Sequence, residues 1–150
     1  MVARTPTRSP IAVRTTTPTD SAQYAKRLNS IVAAASRARK VLSGELAKLD
    51  ATSEAQLARV ARVAWRCAEV FDEARWVARS MSTPPGAEVC QIALRHWLEA
   101  QLAACDALSR AAGTRDRDHV RTAFRLLREG NAYAHQFNNA RRLFVERLAA

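Results

Sequence analysis

Apolar residues recur at intervals of three and four through four successive stretches of this chain, and no stretch shows the alternation of a half-buried strand. That spacing lays one apolar stripe along each of four helices and leaves no sheet to form. Glycine occurs only four times. β-Branched and aromatic residues gather into no alternating run, so local propensity favours helix nearly throughout.

Punctuation sets the boundaries. Asp20 with Gln23 offers a capping box for a first helix over residues 20–50, whose seam is Tyr24, Leu28, Ile31, Ala35, Ala38, Leu42, Leu46 and Leu49. Ser53 with Gln56 opens a second helix, 54–81. Its stripe is Val60, Val63, Cys67, Val70, Ala74, Val77 and Met81, widened by Leu57, Ala64 and Phe71. The run Ser82 to Gly86 (STPPG) breaks the chain, since proline cannot continue a helix but suits the first turn of the next. A third helix, 84–112, is apolar around most of its girth and is expected to be the most buried. Gly113 suits a C′ position, and Thr114 or Asp116 can cap a fourth helix over 115–149. Its core stripe, Val120 to Leu148, is interrupted only by Arg141. Short links make neighbouring helices antiparallel, so the expected fold is all-α: an up-down-up-down four-helix bundle forming one domain over residues 20–150.

Residues 1–19 hold three prolines, three arginines and no acid, a composition that predicts a disordered basic tail. An Arg-rich, Thr-rich, acid-free start also resembles an organellar transit peptide.

The formal charge is +10, with a pI near 10.9, beyond what solubility requires, and this points to a polyanionic partner. The charge is unevenly placed. It sums to +3 over 1–19, +3 over 20–51, +1 over 52–83, −1 over 84–113 and +4 over 114–150. The basic ends belong to helices one and four, which adjoin in an up-down-up-down ring. On the fourth helix Arg117, Arg121, Arg125, Arg128, His135, Asn139 and Arg142 form a column at helical spacing, and Arg27, Arg37, Lys40 and Lys48 of the first are expected to extend it into one positive face. No acid stands four residues before these arginines to neutralise them. Such a face suits a phosphate backbone, read by charge and shape. With nine aromatic residues, mostly on core stripes, stacking on single-stranded bases is not expected.

The leading functional expectation is therefore a non-enzymatic RNA- or DNA-binding accessory protein. A protein–protein adaptor or oligomeric scaffold is the alternative, resting on Trp65 and Trp76, which lie off the centre of the second stripe as edge packing or as an interface. No cofactor and no metal site are expected. Glu-x-x-His pairs of the di-iron kind are absent, and His96 with Glu99 has the reverse order. Cys67, Cys90 and Cys105 have no Cys-x-x-Cys spacing and an odd count, so they read as buried thiols of a reducing, cytoplasmic compartment. No apolar run has the roughly 18 residues that a membrane span needs, and no membrane partner is expected.

Arg128 and His135, an arginine followed by six residues and a histidine, resemble the Arg-x4-6-His motif of HEPN-type ribonucleases, which are themselves small helical bundles. The resemblance implies that Arg128 holds a scissile phosphate and His135 assists its transfer. On an unbroken helix the two sit about 10 Å apart along the axis, so this reading requires a break at Gly130 or a second copy.

Overall fold

The computed structural model describes residues 18–150. They form four α-helices, α1 (Pro18–Ala47), α2 (Glu54–Ser80), α3 (Glu88–Thr114) and α4 (Arg117–Ala149), with no strand among the described residues. The fold is the expected four-helix bundle. Of the expected tail, residues 1–17 lie outside the described residues; Pro18 and Thr19 open α1.

Boundaries differ from expectation at both ends of α1 and α3, and by one or two residues at the end of α2 and the start of α4; three of these differences have a plain local reason. α1 begins at Pro18, a residue suited to the first helical turn, which leaves Asp20 inside that turn and not at the cap. α3 runs through Gly113 to Thr114, whose hydroxyl donates to Arg110 O at 2.8 Å. The left-handed position then falls on Arg115 (φ 58°), whose N–H closes the last turn onto Ala111 O at 2.9 Å. α3 starts at Glu88 because Pro84, Pro85 and Gly86 (φ 90°) make the turn before it. The caps of the other helices are as the sequence predicts: Ser53 Oγ accepts from Gln56 N, and Asp116 Oδ1 from Asp118 N at 2.9 Å.

The core is one large cluster shared by all four helices, with a small second cluster of Leu57, Ala111 and Val120 where α2, α3 and α4 meet at one end. α3 packs broadly on α2 and α4, α1 packs on α2, and α1 meets α4 only sparsely. α3 is the most buried, with eleven buried residues against seven on α2 and six on α4. The α2 stripe is rotated from the expected one: Ala64, Phe71 and Ala78 are buried while Val63, Val70 and Val77 are half-covered. Phe71 explains the rotation. It is fully buried and sits edge-to-face on Trp97 of α3 at 6.2 Å, and the largest buried side chain on the helix sets which way its stripe turns.

Candidate nucleic-acid interface

α4 passes through Gly130 without a break. Gly130 is buried against α3: a β-carbon there would lie 2.9 Å from Gln101 Nε2 and 3.4 Å from Ala100 Cβ. Close helix approach is thus what the glycine permits, and α4 remains a straight support. Its expected column stands exposed along the outer face from Arg117 through Arg121, Arg125, Arg128, His135 and Asn139 to Arg142.

The column is not uniformly free. Arg121 pairs with Asp118 at 3.4 Å and Arg125 with Glu129 at 2.8 Å, at i,i+3 and i,i+4 spacing that a search of position i−4 does not reveal. Among the described residues no carboxylate lies within ion-pair distance of Arg117, Arg128 or Arg142. The unpaired arginines of the column are therefore Arg117 at the start of α4, Arg128 near its middle and Arg142 in its second half.

That half lies beside α1. Tyr24 of α1 meets the Phe144 ring edge-on at 6.0 Å, and Arg141 Nη1 donates to Asn29 Oδ1 at 2.8 Å while its guanidinium lies 5.9 Å from the Phe137 centroid. The arginine that interrupts the apolar stripe is a tie between α4 and α1. Beyond it the two helices part over a small cleft of about 80 Å³, lined by Val32 and Ser36 of α1, Ala134, Phe137 and Asn138 of α4, and floored by Leu94 and Trp97 of α3.

Charge along this seam has one sign. Between Ser21 and Gly44, α1 carries Lys26, Arg27, Arg37, Arg39 and Lys40 and no carboxylate; between Gly130 and Val145, α4 carries Arg141 and Arg142 and no carboxylate. Lys40, four residues beyond Ser36, continues the edge that faces α4, and Arg37 points outward beside it. Arg39 bonds the Ser43 hydroxyl and is half-buried; burial pulls its guanidinium below the ordinary range, against the opposing influence of the Cys105 thiol. Reasoning from the sequence singled out neither Arg39 nor Arg141, because each lies at a half-buried position that a search for exposed columns passes over.

Two expected members lie elsewhere. Arg27 shares a face with Ala38 and Glu45, which meet Cys67 and Arg59 of α2, so it stands on the α2 side. Lys48 follows the last residue of α1 and lines a hollow with Glu45, Leu49, Gln56 and Arg59, again towards α2. Both are solvated cations turned from the seam.

The remaining candidates are plain. His96 stacks on Tyr133 at 5.0 Å, and its Nδ1 lies 3.8 Å from Glu99 Oε2. No group of three His, Cys, Asp or Glu is placed to hold a metal among the described residues. Cys67, Cys90 and Cys105 are free and buried, and burial, with Cys67 nearby, pushes the Cys105 thiol up to about 12. Among the described residues no helix is long and apolar enough to cross a membrane.

Fold and surface together define an all-α bundle with a carboxylate-free cationic seam between its first and last helices. Comparison with known protein families, characterised proteins and solved structures finds no match.

Proposed function

We propose that this protein binds the phosphate backbone of a nucleic acid, RNA or DNA, through the α1/α4 seam, without catalysing a reaction on it. The observation that carries the reading is the absence of any carboxylate from residues 21–44 of α1 and 130–145 of α4, alongside seven cations, of which only Arg27 turns away towards α2. Surface cations of an ordinary protein are interspersed with acids, and a one-sign strip is tolerated where a polyanion neutralises it. The α1 stretch spans about 36 Å at 1.5 Å per residue, close to one turn of a duplex at about 34 Å. Lys26, Arg37, Lys40 and Arg142 supply the charge, with Arg128 just before the acid-free part of α4 and Asn29, Asn138, Asn139 and His135 as further hydrogen-bonding groups beside them. The seam presents no row of exposed aromatic rings, which favours backbone contacts over base stacking.

The test is a titration of labelled RNA and labelled duplex DNA over a salt series. If about five phosphates are engaged, affinity for duplex falls roughly 500-fold between 50 and 200 mM salt. Arg37→Glu, Lys40→Glu and Arg142→Glu together remove binding while the helical circular-dichroism signal is retained. Absence of binding at low salt, or binding untouched by the triple variant, overturns the proposal.

The ribonuclease reading draws no support from the geometry, because the continuous helix keeps Arg128 and His135 about 10 Å apart along its axis. Cleavage of RNA by the wild type that is lost in His135→Ala would restore it. The adaptor reading is favoured by one specific observation, the exposure of Trp65 and Trp76.

A further inference from the structure

Trp65 and Trp76 are not edge packing. They are 67 % and 70 % exposed, far more than any other aromatic residue of the described chain, and they stand three turns apart on the outer face of α2, opposite its core stripe. Two large apolar rings held in water on one face are the usual mark of a surface that another protein covers.

The residues around them match end for end. Measured from the midpoint between Val70 and Phe71, Glu69 is matched by Asp72, Arg66 by Arg75, Trp65 by Trp76 and Arg62 by Arg79. At about 100° per residue the axis of this match leaves the helix between the two tryptophans, on the solvent side. We infer that the outer face of α2 pairs antiparallel with the same face of a second copy of this chain, about a two-fold axis that runs between the two helices at the level of Val70 and Phe71.

Self-association follows from what that register brings together. In a two-fold interface the same patch serves both subunits, so residue i meets residue j and j meets i. Here Trp65 of each copy lies opposite Trp76 of the other, which places both pairs of exposed rings in contact at once. Any other antiparallel register matches at most one pair. The register also resolves two charges that have no partner within the chain. Arg66 and Glu73 are exposed and, unlike Arg75, which pairs with Asp72 at 2.6 Å, form no ion pair among the described residues. They lie on the same flank of α2, about 7 Å and 4 Å along the helix from the level of the axis, so each Arg66 is within reach of Glu73 of the other copy, twice per dimer. Nearer the axis the register sets Glu69 beside Asp72 of the other copy, a like-charge contact that weakens the dimer. In a parallel arrangement that flank faces the opposite flank, and the Arg66–Glu73 pairs do not form. The patch is one helix wide, which puts the interface at the small end of specific contacts and makes the dimer concentration-dependent.

The inference does not rest on nucleic-acid binding, since α2 lies away from the α1/α4 seam. It is tested on the full chain by sedimentation across a concentration series. The wild type is expected to move from 16.6 kDa towards twice that mass as concentration rises. Trp65→Ala with Trp76→Ala is expected to remain a monomer at every concentration, with an unchanged helical spectrum. Arg66→Glu is expected to weaken the dimer at least tenfold, and adding Glu73→Arg to restore it. The two positions are seven residues apart on one helix, so the rescue reports contact between copies and not a pair within one. A wild type that stays monomeric, a double tryptophan variant that still dimerises, or a charge swap that fails to rescue overturns the antiparallel dimer.

Discussion

Gly130 of α4 faces the amide of Gln101 on α3 so closely that a β-carbon at the glycine would lie 2.9 Å from Gln101 Nε2. Gln101 is wholly buried, and among the described residues neither its Nε2 nor its Oε1 has a hydrogen-bond partner. A glycine has been placed against a polar group that the core does not satisfy. An unpaired buried amide costs about 1–3 kcal/mol, so Gln101→Met, which keeps the shape and removes the polar atoms, is expected to raise stability by roughly 1 kcal/mol. Gly130→Leu is expected to lower it by about 2–3 kcal/mol, because packed side chains fill the space on the α3 side. Urea denaturation of the two variants checks both signs.

Arg121 and Arg125 are held by Asp118 and Glu129 and lie away from the α1 seam. Reversing them to Glu is therefore expected to weaken nucleic-acid binding less than tenfold. The reversal at Arg37, Lys40 and Arg142 is expected to remove it. The comparison is read by fluorescence anisotropy at one salt concentration, and equal losses from the two sets would remove the seam from the proposal.

Alkaline pH is expected to unfold the protein through buried groups. The Cys105 thiol is raised from 9.0 to about 12 by burial and Cys67, and the Tyr24 hydroxyl from 10.0 to about 12, chiefly by burial. For both, the folded value exceeds the unfolded one, and ionisation is easier in the unfolded chain. Their stabilising effect is complete below about pH 9 and is lost as pH rises towards 12. Thermal melts should hold steady through neutral pH and fall steeply above pH 9, and Cys105→Ala should soften that fall.

Arg115 carries a positive φ that an L side chain adopts at a cost of about 1 kcal/mol. Its ion pair with Glu54, at 3.0 Å, is exposed on both sides and contributes little. Arg115→Gly is thus expected to raise the melting temperature by a few degrees, equivalent to about 0.5–1 kcal/mol. A fall on calorimetry would mean that the pair with Glu54 outweighs the backbone strain.

Much of the fold was legible because helical periodicity is a local property. The seam of α1 from Tyr24 to Leu46 is buried as its spacing predicts, apart from the half-covered Ala38, and the Ser53 and Asp116 caps lie where their side chains suit the role. What was misread depends on neighbours in space. The α2 stripe turned towards Ala64 and Phe71 because Trp97 receives Phe71 from α3. Gln101 was missed because a polar residue on a helix gives no sign of burial until the facing helix presents a glycine.

The candidate surface divides in the same way. From the sequence alone came the helical class, the four segments, the excess of positive charge and its concentration in the first and last helices, since composition and period are written along the chain. Only the packing of α1 beside α4 decided that Lys40, Arg37, Arg141 and Arg142 share a seam while Arg27 and Lys48 turn towards α2, and that Arg121 and Arg125 are already paired. Direction around a helix is fixed by what the helix packs against, and that is a property of the tertiary structure.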